Sequence, residues 1–314
     1  MPSKVEQIIC PSCKEVKFDE IIERCDGLKI VRCLSCGLAY LNPRPVPEEI
    51  YKLYEEGYYT GKIDKEIGYA GHSGSIHEIK YYCPYGFDIL LEETKLNNKR
   101  VLDIGCSFGK FVYWMRKAGA NAVGIDISEE STAWGRKKLS LDLRKETLES
   151  LDEQDSSFDV ITMIDIIEHI VDLDGFMSKL SSLIKPGGLV FVQTPNFESY
   201  EKWHKQWRYL YTGLEHILFF DSTSIDKIFA KYDMFPSRET SVFCTIACDK
   251  DTYFKNRGSI KNKLRSILLR LPDCFSFVHL LLSKFFISKH VYRCDTIGKN
   301  GAIIIGCYRK KNNN

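Results

Sequence analysis

Val101-Leu102-Asp103-Ile104-Gly105-Cys106-Ser107-Phe108-Gly109 is the stretch whose reading decides the fold. Val101–Ile104 is a short, branched apolar run of the kind that forms a buried strand. Gly105 follows at once and opens a turn that Gly109 closes, and Lys110–Ala118 then carries a helical pattern. Glycine at the end of a strand admits backbone angles closed to other residues and lets a ligand approach the main chain. The next apolar run, Ala122–Ile127, contains Asp126 near its end. In nucleotide-binding sheets a carboxylate at that offset accepts hydrogen bonds from ribose hydroxyls. The turn is not the G-x-G-x-x-G of dinucleotide sites, whose glycines seat a pyrophosphate on a helix N-terminus. Asp103, just before the turn, would repel pyrophosphate and would suit a cation such as the amino group of a methionine moiety.

Working outward, the strand–helix rhythm continues. Glu129–Leu139 and Leu173–Ile184 read as helices, and Phe158–Asp165, Leu189–Thr194 and Gly301–Tyr308 as strands. Such alternation predicts an α/β, doubly wound, Rossmann-like parallel sheet covered by helices on both faces. Residues 48–98, with helical pieces at Glu48–Tyr54 and Ile76–Leu91, read as a linker or lid. Residues 99–314 read as the catalytic domain.

Towards the N-terminus, Cys10-Pro-Ser-Cys13 and Cys33-Leu-Ser-Cys36 are two C-x2-C pairs. Four thiolates at this spacing complete a closed tetrahedral site, so residues 1–47 are expected to form a small ribbon around structural zinc, or iron in its place. Cys25 lies between the pairs and has no part in this pattern. The chain opens on a polar stretch, Met1–Pro11, and holds no run of 18 apolar residues, so neither a signal peptide nor a membrane span is expected. A cytoplasmic, reducing compartment follows, in which the 12 cysteines are metal ligands or thiols.

These segments resemble the class I S-adenosylmethionine-dependent methyltransferases. The match runs in order from Asp103–Gly109 through Val123–Asp126, Phe158–Ile161 with Asp165-Ile-Ile-Glu168-His169, and Pro186-Gly187-Gly188 before Leu189–Asn196. It covers about 100–235 and departs at Ser107, where many members carry another glycine. The fold implied is a seven-stranded methyltransferase sheet. Arg32–Tyr40, Asn42-Pro43-Arg44, Tyr58-Tyr59, Trp207–Tyr211 and Glu215–Phe220 look like a zinc-ribbon-fused subgroup that acts on sugars and surface polysaccharides. By this resemblance Asp103 and Gly105 would hold the methionine end, and Cys106, Ser107, Gly109 and Ile127 would also line the cofactor. Asp126 would bind the ribose, Thr147 and Leu148 would flank adenine, and Asp165 would lie at the carboxyl end of the fourth strand.

Methyl transfer to oxygen requires removal of the acceptor proton, usually by a carboxylate or histidine. His216 is the first candidate base, and His169, just past the fourth strand, is the second; packing or hydrogen bonding is the alternative for each. The aromatic run Trp203, Trp207, Tyr209 and Tyr211 reads either as ordinary packing or as a platform for a sugar ring or base. Residues 255–314 carry 13 Lys/Arg against 2 Asp/Glu. Within them an insertion at about 255–299 places Ile260, Leu264, Ile267, Leu268 and Leu271 on one helical face. It reads as a lid, as a peripheral contact with an anionic membrane, or as a clamp on a lipid-linked glycan. A ribosomal RNA base methyltransferase is the alternative, but residues 1–50 hold 7 Lys/Arg and 8 Asp/Glu, not the basic footprint that nucleic acid wants. A non-catalytic module that binds the cofactor is the third reading.

Overall fold

The computed structural model describes residues 4–52, 76–81, 83–84, 86–204, 207–210, 215–244, 291–292 and 303–312. Most of the proposed insertion therefore lies outside the described residues, as do Tyr58, Tyr59 and Tyr211.

The main sheet is built from β6 (Arg100–Ile104), β7 (Asn121–Asp126), β8 (Leu143–Lys145), β9 (Phe158–Ile164), β10 (Ile184–Pro195), β12 (Met234–Cys244) and β14 (Ile303–Lys310). A two-residue strand, β13 (Val291–Tyr292), adds to the outer edge of β12. The order is β13-β12-β14-β10-β9-β6-β7-β8. The five strands from β8 to β10 pair in parallel, and β14 runs antiparallel to both β10 and β12. Strand order reverses between β6 and β9, which places a ligand crevice at the carboxyl ends of those strands.

Both faces of the sheet are covered, because alternate residues of each strand point to opposite sides. Val101, Val160, Phe191 and Ile305 pack with Phe111, Val112 and Met115 of the helix Lys110–Lys117. Leu102, Ile104, Ile161, Met163 and Val190 pack with Phe176, Met177, Leu180 and Leu183 of the helix Leu173–Leu183. The doubly wound expectation is met on both sides.

The second face is shared with the N-terminal region. There β2 (Phe18–Glu23), β3 (Lys29–Cys33) and β4 (Ala39–Leu41) form an antiparallel sheet whose fourth strand is β11 (Leu218–Phe219). Ile30, Val31, Leu38 and Tyr40 belong to the same buried cluster as the helix Leu173–Leu183. Two further strands, β1 (Val5–Glu6) and β5 (Arg44–Pro45), pair with each other beside it. Arg32 forms an ion pair with Asp221, at the N-cap of the helix Ser222–Ala230, and Lys231 reaches the carbonyl of Ser12.

Two expectations about elements need correction. The single helix expected at Ile76–Leu91 is two, Ile76–Tyr81 and Phe87–Glu93. Pro84 and Gly86, the latter at φ 78°, stand in the break, and neither continues a helix. The strand expected to include Asp165 ends at Ile164, and Asp165 turns away with φ 54°.

Candidate active site

The turn after β6 is held by the strand beside it. The backbone N–H groups of Gly105 and Cys106 both donate to the carbonyl of Ile125, at 2.8 and 3.0 Å. Gly105 lies at φ 71°, and a Cβ there would stand 2.0 Å from Ile166 Cδ1, so any other residue would be strained and would have to displace the Ile166 side chain. Ser107 takes φ 48° and Gly109, the N-cap of the following helix, φ 82°. The serine that departs from the expected glycine thus adopts the left-handed angle itself.

Asp126 ends β7 facing this turn. One carboxylate oxygen accepts from Ser107 N and the other from Ser128 N, both at 2.8 Å. Sequence reasoning placed Asp126 at the ribose; it missed that the same side chain ties the two turns together. Ile127, next to it, is an apolar side chain 40% exposed. Asp103 is buried and accepts a 2.6 Å hydrogen bond from Thr162 Oγ1. Burial, with Asp126 nearby, raises its pKa to about 7 despite that hydrogen bond. Of the pair expected to flank adenine, Thr147 is exposed and bonded to Ser150, whereas Leu148 is a core residue at 2% exposure. The apolar core takes the Leu148 side chain.

At the carboxyl end of β9 the chain enters a short 3-10 turn, Ile167–His169. Asp165 donates its N–H to the carbonyl of Gln193, and the Gln193 amide stands 3.4 Å from each Asp165 oxygen. His169 and His216 meet edge to face, with ring centroids 4.7 Å apart. His216 Nε2 lies 4.0 Å from an oxygen of Glu168 and 4.0 Å from one of Glu215. Glu168, Glu215 and His216 are each 1% exposed. Thr194 Oγ1 donates to the other Glu168 oxygen at 2.9 Å, and Ile217 N donates to the Glu168 carbonyl at 3.0 Å. Burial pushes the Glu168 carboxyl well above the usual range, reinforced by Asp165 and Glu215. Burial lowers the half-buried His169 to about 4, opposed by the carbonyls of Glu215 and Asp165. His169 is therefore neutral at pH 7.

Against known proteins, a family model described as a methyltransferase domain matches residues 76–234, half of the chain. The chain belongs to the methyltransferase domain family. A ubiquinone biosynthesis O-methyltransferase of Chelativorans sp. is 40% identical over 102 residues, 31% of this chain and 40% of that protein. The corresponding protein of Sinorhizobium fredii is 37% identical over 106 residues, 32% and 43%. The chain thus spans about two fifths of the length of these curated relatives. A solved S-adenosylmethionine-dependent methyltransferase from Mesorhizobium loti has 15% identity and a TM-score of 0.46, over 72% of this chain and 97% of its own.

Ahead of the methyltransferase domain, the two cysteine pairs converge. Cys10 Sγ lies 3.5 Å from Cys36 Sγ, Cys13 Sγ lies 3.4 Å from Cys33 Sγ, and all four sulfurs fall within 4.8 Å of one another. Metal–sulfur distances of about 2.3 Å imply a tetrahedral edge of about 3.8 Å, so the four thiols suit a metal ion. The hydrogen bond between Cys10 and Cys36 lowers the Cys36 thiol to about 5 and raises the Cys10 thiol. In the aromatic run the packing alternative holds for Trp207: it is fully buried, donates to Ser199 Oγ at 2.7 Å and stacks edge-on against Phe197. Tyr209 packs between Trp207 and His216.

Proposed function

We propose that the chain binds S-adenosylmethionine at the turn Asp103–Gly109 with Asp126, and methylates an oxygen of a small-molecule acceptor beside Glu168, His169 and His216. The observation that carries this reading is the pairing, across one strand-order reversal, of an acidic glycine turn with two neighbouring histidines. From Asp103 to Gly109 the turn holds one acid and no base, which suits a cationic ligand and disfavours pyrophosphate. Asp103 would face the amino group, Asp126 the ribose hydroxyls and Ile127 the adenine side. When bound, the cofactor supplies a methyl group already activated on a sulfonium, so the protein's work is alignment and exclusion of water. His216 would accept the acceptor's hydroxyl proton, and His169, neutral at pH 7, would fix the face His216 presents. Cys10, Cys13, Cys33 and Cys36 would hold one structural zinc ion.

For the acceptor we propose a sugar of surface-polysaccharide synthesis, supported by the resemblance of the N-terminal cysteine region and the Glu215-His216 segment to sugar-acting enzymes. The names of the matched relatives favour a second reading, an acceptor like those of ubiquinone biosynthesis. The test is to incubate purified protein with labelled S-adenosylmethionine and, separately, nucleotide sugars and 3,4-dihydroxybenzoate. Methyl transfer to a sugar, lost in His216→Gln, is the expected result. Transfer to the catechol alone would replace the acceptor class, and cofactor binding without transfer to either would favour a non-catalytic module. The basic insertion at 255–299 is proposed to rest on an anionic membrane, which salt-sensitive co-sedimentation with anionic liposomes would support.

A further inference from the structure

Arg24 sits at the tip of the β2–β3 hairpin and its side chain has no solvent exposure. Burying a guanidinium is costly unless its donors are satisfied. Here Nε and Nη2 fork onto the Asp26 carboxylate at 3.2 and 2.6 Å. The outward donor, Nη1, crosses to the methyltransferase domain and meets the carbonyl oxygen of His216 at 2.8 Å, 192 residues away in sequence. The next residue, Cys25, donates its N–H to the carbonyl of Leu210 at 3.1 Å. On the other side, Arg44 Nη1 donates to the carbonyl of Val171 at 3.0 Å, two residues past His169. Two arginines of the N-terminal region therefore grip the backbone beside each of the paired histidines.

We propose that Arg24 is a positioning residue for His216, and that through it the ribbon forms part of the acceptor site. The inference rests on the reading of His216 as the proton acceptor. The peptide after His216 is pinned at both ends: Arg24 holds its carbonyl oxygen, and its N–H, that of Ile217, donates to the Glu168 carbonyl. The backbone is thus held on both sides, and the imidazole it carries stands edge-on to His169 and against Tyr209. Only a planar fork satisfies a carboxylate with two donors and a carbonyl with a third, so lysine cannot replace Arg24 in full. The cofactor turn has no part in this linkage, so disturbing Arg24 should change catalysis and leave cofactor affinity alone.

The test compares Arg24→Gln, Arg24→Lys and His216→Gln in the full chain. Three readouts are taken: S-adenosylmethionine affinity by calorimetry, imidazole nitrogen shifts by NMR on histidine-labelled protein, and kcat and KM on whichever acceptor, nucleotide sugar or 3,4-dihydroxybenzoate, is turned over. In Arg24→Gln the His216 resonances should move and those of exposed His204 should stay. Cofactor affinity should hold within about twofold while kcat falls at least about tenfold. Arg24→Lys should lie between, and it decides the matter if Arg24→Gln does not fold. Unmoved His216 resonances, or a loss of cofactor affinity as large as the loss of kcat, would overturn the proposal. If His216→Gln remains fully active, the base assignment falls. If it is inactive while Arg24→Lys and Arg24→Gln match the wild type, the positioning role falls alone.

Discussion

The two edges of the crevice are built in opposite ways. The cofactor edge is local: Asp103, Gly105, Ser107, Asp126 and Ser128 lie within 26 residues, and their hydrogen bonds join adjacent strands and turns. The histidine edge is assembled from afar. Glu168 and His169 follow β9, Glu215 and His216 precede β11, and Arg24 arrives from the N-terminal hairpin. A local site depends on backbone angles and short-range bonds. A distributed site depends on the docking of whole elements, and so on whatever holds those elements together.

The largest separation of the two edges should come from the cysteine cluster. Cys33→Ser removes, at the end of β3, one of the four thiols proposed to hold zinc, and loss of a metal is among the few single changes that cost more than about 4 kcal/mol. Because β4 pairs with β11, the damage should reach His216. Metal content should fall and thermal stability drop sharply, while calorimetry still shows cofactor binding. Equal loss of binding would erase the contrast between the edges.

Gly105→Ala attacks the cofactor edge instead. Its methyl group would collide with Ile166, and its φ of 71° would cost a further 1 kcal/mol or so. Affinity for S-adenosylmethionine should weaken at least about tenfold, read by calorimetry, with the metal still bound.

Asp103→Asn sharpens the comparison through pH. The folded pKa of Asp103, about 7, stands above its ordinary value of 3.8. Its contribution to stability is therefore complete below about 3.8 and is lost as pH rises through 7. Asn, which carries no charge, should make the ligand-free protein more stable than wild type at pH 8 and little different at pH 4. The same substitution should weaken cofactor binding by about 1.5–3 kcal/mol, the range for a charged hydrogen bond. Denaturant titrations at the two pH values, with calorimetry, check both.

The smallest effect belongs to His169. Its folded pKa of about 4 lies below the ordinary 6.5, so the stability it contributes is present above 6.5 and lost as pH falls through 4. His169→Gln should flatten the decline in stability between those values, measured by melting temperature. An unchanged decline would mean that other groups set it.

What the sequence by itself determined is the material that obeys local periodicity. β6, β7, β9 and the helices Lys110–Lys117, Glu129–Leu139 and Leu173–Leu183 fall within a residue or two of their expected bounds, because burial on two faces and the capping at Ser128 and Asp172 are written into neighbouring residues; the short β8 was not expected, and β10 begins at Ile184, five residues early. Asp103, Gly105 and Asp126 were legible for the same reason, since a strand-end turn with an acid one strand over is a pattern of fixed spacing. So was the set of four cysteines. Tertiary structure alone decided the rest. Nothing near Leu148 in sequence says that it faces the core, and nothing near Asp126 says that its two oxygens hold two turns. The strand that completes the ribbon sheet comes from Leu218–Phe219, and the partner of Arg24 lies 192 residues on. Such contacts leave no periodic trace, because they depend on which surfaces meet when the hairpin and the sheet share one apolar core.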